Sequence, residues 1–318
     1  MISNSEYIWY KIFGVEGFGT KTINKIYRGI RDQNIGITNL EDFSKEEFMN
    51  LGVNESLYEA WKNVEDSVCY LDYERLIKKG IRLITPDLKE YPEQLAKTLD
   101  DNAPPLLFCL GDKNLLNAKN VAIIGARDVT DTGIEYARDI TKKLTQKGFN
   151  IVSGYAKGVD SIAHLTALEF GGTTTIVLSH GIYEFRQKRE FLDIPEWSEN
   201  TLVLSQFAPQ VKWFARNAMI RNETIVGLSS AVVVIQSGPN KDSDNKMSGT
   251  FASGKSALKY GVPLYVLKPE LVENADGNKD LIRQGAVEIT PDNILQIMSD
   301  HDKINLKNGK GEQLSFIE

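Results

Sequence analysis

The chain has 318 residues, 42% hydrophobic and 25% charged, with a formal net charge of −6. That length allows about two domains and a full core, and the composition excludes wholesale disorder. An acidic balance excludes a protein that coats nucleic acid with its whole surface, but leaves room for a local basic groove.

No run of about 18 apolar residues occurs, so no membrane span is expected. The opening Met1-Ile2-Ser3-Asn4-Ser5-Glu6 lacks the basic and apolar regions of a secretion signal. Residues 1–78 show no strand-like alternation. They are rich in helix formers, with short turns at Gly17, Gly19, Gly36 and Gly52, and read as a bundle of short helices. Within them Val15-Glu16-Gly17-Phe18-Gly19-Thr20-Lys21-Thr22-Ile23 resembles a helix-hairpin-helix turn, which binds a DNA phosphate through backbone N–H groups. A plain inter-helix turn fits it equally well.

From Ile81-Arg82-Leu83-Ile84-Thr85 onward, short apolar runs alternate with helical patterns. Strands are expected at Leu106–Leu110, Val121–Ile124, Asn150–Val152, Thr175–Leu178, Leu202–Leu204, Ala231–Ile235 and Leu264–Leu267. Helices are expected near 132–147, 158–170, 213–226 and 251–260. This alternation predicts an α/β, doubly wound, mostly parallel sheet with helices on both faces. Right-handed crossovers would gather the strand-to-helix turns on one edge. Asp280–Met298 reads as a short helix, a strand at Ala286–Ile289 and a closing helix. The expected division is therefore a helical domain over 1–78, an α/β domain over 79–299 and a polar, fraying tail over 300–318. Ser237–Lys246, built from Ser, Gly, Pro, Asn, Asp and Lys, reads as a flexible loop.

Four stretches on the predicted sheet edge carry chemistry. In Val121-Ala-Ile-Ile-Gly125-Ala126-Arg127 a strand ends in glycine shortly before a helix. The helix N-terminus suits a phosphate, Gly125 lets backbone approach it, and Arg127 adds a two-pronged contact. The second glycine of a dinucleotide fingerprint is missing. The next turn, Ser153-Gly154-Tyr155-Ala156-Lys157-Gly158-Val159-Asp160, places Lys157 on the same edge and Asp160 where it would cap a helix. His164, one turn later, fits a packed residue better than a catalytic one. No nucleophile elbow accompanies it. Asn200 to Asn222 contains no acid, but holds Lys212, Arg216 and Arg221 with Phe207, Trp213 and Phe214 between them. Cations with aromatic rings suit a single strand of nucleic acid; the rings also suit the core face of a helix. Met247-Ser248-Gly249-Thr250 opens a further helix, with Ser248 as cap, phosphate ligand or both.

Taken together, in order, these turns resemble the DNA-processing protein A family (DprA, also called Smf). The resemblance rests on Gly125-Ala126-Arg127; on Val152-Ser153-Gly154-Tyr155-Ala156-Lys157-Gly158-Val159-Asp160 with Ala163-His164 and Ala167-Leu168; and on Gly171-Gly172-Thr173-Thr174-Thr175-Ile176-Val177-Leu178. Arg221-Asn222-Glu223-Thr224-Ile225-Val226-Gly227-Leu228-Ser229 and Ser248-Gly249-Thr250 complete it. It covers about 85–295 and implies a Rossmann-like domain after a small helical module of SAM or helix-hairpin-helix kind. It further implies a cytoplasmic, homodimeric protein of DNA uptake and recombination that binds single-stranded DNA and aids loading of a RecA-type recombinase. No enzyme activity and no cofactor are implied. The phosphate-holding residues it points to are Arg127, Lys157 and Arg221. Around them the sequence adds Gly125, Ser153, Gly154, Gly158, Lys212, Arg216, Asn222, Ser248, Gly249 and Thr250 as the candidate site. Glu223 stands where the family has a second Arg, the Tyr183–Glu190 segment departs from the family pattern, and a divergent member with a changed partner, from a mobile or defence locus, is a further expectation.

A second reading is a nucleotide sensor or nucleotide-processing protein of the same fold. The lysine-decarboxylase-like hydrolases carry a motif resembling Pro-Gly-Gly-x-Gly-Thr-x-x-Glu. Here Thr250 is followed by Phe251-Ala252-Ser253, without the Glu, which disfavours hydrolysis and leaves nucleotide binding open. Two cysteines, Cys69 and Cys109, are by themselves too few for a disulfide scaffold or a four-ligand zinc site and suit a reducing compartment, and three histidines, His164, His180 and His301, disfavour a histidine-based metal site.

Overall fold

The structure, a computed structural model, describes residues 5–195, 197–240 and 247–307. Five helices come first: α1 (Ser5–Gly14), α2 (Thr20–Asp32), α3 (Lys45–Asn50), α4 (Glu55–Lys62) and α5 (Asp66–Lys78). The α/β part follows as β1 (Arg82–Ile84), α6 (Glu93–Leu99), β2 (Leu107–Gly111), β3 (Asn120–Ile124), α7 (Asp131–Gln146), β4 (Asn150–Ser153), α8 (Val159–Glu169) and β5 (Thr174–Val177). It continues with α9 (Trp197–Asn200), β6 (Thr201–Ser205), α10 (Ala215–Leu228), β7 (Ala231–Val234), α11 (Gly249–Tyr260), β8 (Leu264–Leu267), α12 (Asp276–Arg283), β9 (Val287–Ile289) and α13 (Ile294–Lys307).

The nine strands form one sheet in the order β1-β2-β6-β5-β4-β3-β7-β8-β9. β1 pairs antiparallel with β2, and β2 antiparallel with β6; the other neighbours are parallel. The sheet is thus the mostly parallel, doubly wound one that the alternation predicts. Its inner strands are buried along their whole length, which is why they read as continuous apolar runs.

Strand periodicity of two sorts these side chains into separate cores. Ala122, Ile124, Val152, Val177, Leu202, Leu204, Val232 and Val234 pack under α6, α10, α11 and α12. Their neighbours Val121, Ile123, Ile151 and Val233 face the other way, against α7, α8 and α13. On that second face, Leu106, Phe108, Ile176, Leu178 and Val203 meet the N-terminal helices instead. The apolar stripe of α2, Ile23, Ile26 and Ile30, lies in the same core, as do Trp9, Phe48 and Trp61. Each such large side chain contributes roughly 1.5–3 kcal/mol when fully buried.

Two differences from the expected elements have local causes. α13 runs on to Lys307, past Ser299, because Ile294 and Met298 anchor its first turns in the core and its polar remainder continues the helix. α6 has no counterpart among the expected helices, since Pro92 and a seven-residue length leave little periodicity to detect. Residues 241–246 of the predicted loop, and 308–318 of the predicted tail, lie outside the described residues.

Candidate functional site

From β3 the sheet grows to β4, β5 and β6 on one side and to β7, β8 and β9 on the other. The chain leaving β3 enters α7 on one face, while the chain leaving β7 enters α11 on the opposite face. Between these diverging turns an open α/β sheet has its crevice, at the carboxyl ends of the strands.

The crevice is a cavity of about 520 Å³ bounded by Gly125–Asp128, Met219, Asn222 and Ser248–Thr250. A second cavity of about 270 Å³ adjoins it toward β5, bounded by Gly154–Lys157 and Leu178–His180. Arg127, Ala156, Trp213 and Arg221 line both, so the two make one groove along the strand ends. Trp213 is 51% exposed, and Phe214, Met219, Ile220 and Met247 are also exposed.

The turns hold one another in place. Thr130 caps α7 by accepting the Gly133 N–H, and its own N–H and hydroxyl donate to Gln236 Oε1 beyond β7. The Ala126 N–H donates to the Gln236 carbonyl. Gly158, at φ +84°, lets the start of α8 lie directly against the β3–α7 turn; a Cβ there would stand 2.3 Å from the Ala126 carbonyl oxygen. Ser248 caps α11 through the Phe251 N–H, and Asn222 donates to the Gly249 carbonyl.

Arg221 is only 5% exposed. Its Nη1 donates to the carbonyls of Gly154 and Val177, tying the ends of β4 and β5 together. Gly154 is required there, since a Cβ would stand 2.4 Å from that nitrogen. Burial pulls the guanidinium down to about 10, opposed by the charge of Asp160. Burial likewise pushes the Asp160 carboxyl up, opposed by Arg221 and by the Ala156 N–H that it accepts. The two are compensating charges under the groove floor. Lys157, by contrast, is exposed and bonded at 2.8 Å to Asp128. That ammonium holds the Asp128 carboxyl below the usual carboxylate range.

The structure gathers Gly125, Arg127, Gly154, Lys157, Arg221, Asn222, Ser248, Gly249 and Thr250 into the groove lining. Several of the expected residues lie elsewhere. The Ser153 hydroxyl is buried and donates to the Ile123 carbonyl, and the residue lines neither cavity. Gly158 shapes the turn without lining a cavity. Asp160 does not cap α8 at its N-cap, which is Gly158; it sits inside the first turn and receives the Ala156 N–H. Lys212 and Arg216 are exposed beside the start of α10 and line neither cavity. Glu223, expected to reverse a charge near the groove, faces Lys259 on α11 instead. Two positions along a helix rotate a side chain by about 200°, which turns Glu223 away from the side of Arg221. His164 is fully buried, its Nδ1 2.6 Å from Thr174 Oγ1, and burial lowers it to about 3. It is a packed, neutral imidazole.

Sequence reasoning passes over Asp128, although an acid directly after Arg127 is a visible signal. It also passes over Met219 and Ser253, which carry no signal of their own. The 182–191 segment places Lys188 over the Tyr155 ring at 4.3 Å and on Ser161 Oγ at 2.6 Å, an anchorage that no motif announces.

Fold and groove together define a doubly wound α/β protein with a basic, aromatic-rimmed crevice at its topological switch point. The family model for DNA recombination-mediator protein A matches residues 82–299, and the chain belongs to that family. It is 30% identical to protein Smf of Escherichia coli over 74% of this chain and 60% of that one, so the match covers less than two thirds of that relative. It is 30% identical to the DNA processing protein DprA of Bacillus subtilis over 67% of this chain and 69% of that one. Among solved structures, DprA from Streptococcus pneumoniae superposes with a TM-score of 0.77 at 23% identity, covering 92% of this chain and 97% of that one, a likeness of fold. DprA from Helicobacter pylori, described for its single-stranded DNA binding mode, gives a TM-score of 0.58 at 27% identity over 70% of this chain and 96% of that one. Among the described residues, no helix is long and apolar enough to cross a membrane.

Proposed function

We propose that this protein binds single-stranded DNA in the groove along the strand ends and serves there as a recombination mediator that helps load a RecA-type recombinase. The carrying observation is the wall common to both cavities, where the exposed Arg127 stands with the half-exposed ring of Trp213 beside the buried Arg221. Cations hold the phosphates and the ring takes the bases, a combination indifferent to sequence. The single-stranded DNA binding described for the Helicobacter pylori relative supports the same reading. Backbone at Gly125, Gly154 and Ser248–Thr250 would receive phosphates, with Lys157 and Asn222 beside them and Lys212 and Arg216 on the approach. Residues 1–78 act as a helical domain, 79–299 as the binding domain, and the protein works as a cytoplasmic homodimer in DNA uptake or a related defence setting. The role is that of a binder and not of an enzyme.

The test is fluorescence anisotropy with a labelled oligothymidylate across a salt series. Affinity should fall by roughly 0.7 log units per tenfold rise in salt for each phosphate engaged. Arg127→Ala should weaken binding about tenfold and remove about one such increment from the slope. A variant that binds like wild type would displace the groove from its role.

A second reading, a small nucleotide as ligand, is favoured by the position of the 520 Å³ cavity between the two diverging turns, where nucleotides sit in this class of fold. Displacement of the oligonucleotide by low micromolar free nucleotide, or binding of nucleotide alone, would favour it.

A further inference from the structure

Three cations line the two cavities, Arg127, Lys157 and Arg221, together with two acids, Asp128 and Asp160. The acids differ in kind. Asp160 is 8% exposed, lies in the first turn of α8 and is held by the Ala156 N–H. It offsets the buried Arg221 and has no room to move. The Asp128 side chain is 90% exposed and stands on the turn between β3 and α7, directly after Arg127. Its Oδ1 lies 2.8 Å from Lys157 Nζ, whose side chain is itself 80% exposed. The distance is that of an ammonium bonded to an anionic oxygen, the contact a DNA phosphate oxygen would make with the same nitrogen.

We infer that Asp128 is an affinity-setting residue of the groove: its carboxylate occupies Lys157 in place of a phosphate and must swing aside when nucleic acid enters. The inference rests on the DNA reading above and adds a term to it. With Asp128 in place, Lys157 contributes little net charge, and an incoming phosphate meets a carboxylate at the rim. An exposed ion pair is weak and screened by salt, so the block is graded and reversible. Its effect is to hold the groove below its full affinity, most of all at low ionic strength.

Asp128→Asn keeps shape and removes the charge; Asp128→Glu keeps the charge. Both are compared with wild type by anisotropy on labelled oligothymidylate over a salt series. Asp128→Asn should bind roughly three- to ten-fold tighter at low salt, a shift of the size one exposed charge exerts at contact range. Its salt slope should steepen by about 0.7, the increment for one more phosphate engaged on a single strand. Asp128→Glu should stay near wild type in both. Damage to the fold weakens binding, so a gain separates charge from structure. Wild-type binding with Asp128→Asn no tighter and no steeper overturns the inference and leaves the DNA reading standing. Failure of wild type and Asp128→Asn alike to bind at low salt removes the DNA reading, and this inference with it.

Discussion

His164 and Gly158 stand six residues apart in one motif, and the structure gives both a packing reason. His164 is held at about 3 by burial, with the charges of Lys188 and Arg221 adding to the effect. An unfolded histidine titrates near 6.5. Below that value the unfolded chain takes up a proton that the folded one refuses, so this group costs stability as pH falls from about 6.5 toward 3 and none above it. Urea unfolding should therefore lose up to about 1.4 kcal/mol per pH unit from this residue between pH 6 and 4, and His164→Gln should flatten that part of the profile. Gly158 combines a φ of +84° with a neighbouring carbonyl where a side chain would be. Gly158→Ala should lower stability by about 2–3 kcal/mol, measured as a fall in Tm, and weaken DNA binding through the displaced Arg127 turn. At this scale the sequence showed which residues gather at the strand ends, because glycine, arginine and lysine in a strand-to-helix turn are local signals. It did not show that Ser153 is bonded to Ile123 or that Asp128 sits on Lys157. Those facts depend on side-chain direction between neighbouring strands.

Helix caps and turns connect these residues to the sheet. Thr130 joins the start of α7 to Gln236 beyond β7, across the switch point. Thr130→Ala removes an N-cap oxygen and should cost about 1 kcal/mol of stability by denaturant titration. The effect expected on groove affinity is smaller, since the backbone N–H groups of residues 126 and 130 still tie the β3–α7 turn to Gln236. Inner strands were legible because they are short apolar runs at regular spacing with glycine-bearing turns between them. The helices that cross over the sheet were legible from their 3.6-residue period. α6 was not, being too short to show one, and the end of α13 was not, since the sequence from Asp300 to Lys307 is mostly polar.

For the whole molecule, the N-terminal helices and the sheet hold a common core. Tyr10 and Phe13 meet Phe108 of β2 at ring distances of 6.4 and 5.6 Å, and Leu83, Leu106, Ile176 and Val203 belong to the same cluster. Asn24 of α2 donates to the carbonyls of Asp101 and Ala103 across the same boundary. A chain trimmed to residues 79–299 should therefore expose an apolar sheet face, bind a hydrophobic dye and aggregate, where the full chain does not. Retention of a sharp unfolding transition without dye binding would show that the helices merely rest on the sheet. The sequence by itself determined the element order, the sheet type and the family, because strand and helix periods and turn residues are encoded within a few positions of one another. Only the tertiary structure decided that the helical module closes one face of the sheet, that Arg221 is a buried tie instead of a free arm, and that Lys157 is engaged by Asp128. Each of these depends on residues distant in the chain, or on adjacent strands, meeting at a particular depth, and burial depth is set by packing of the whole and not by local pattern.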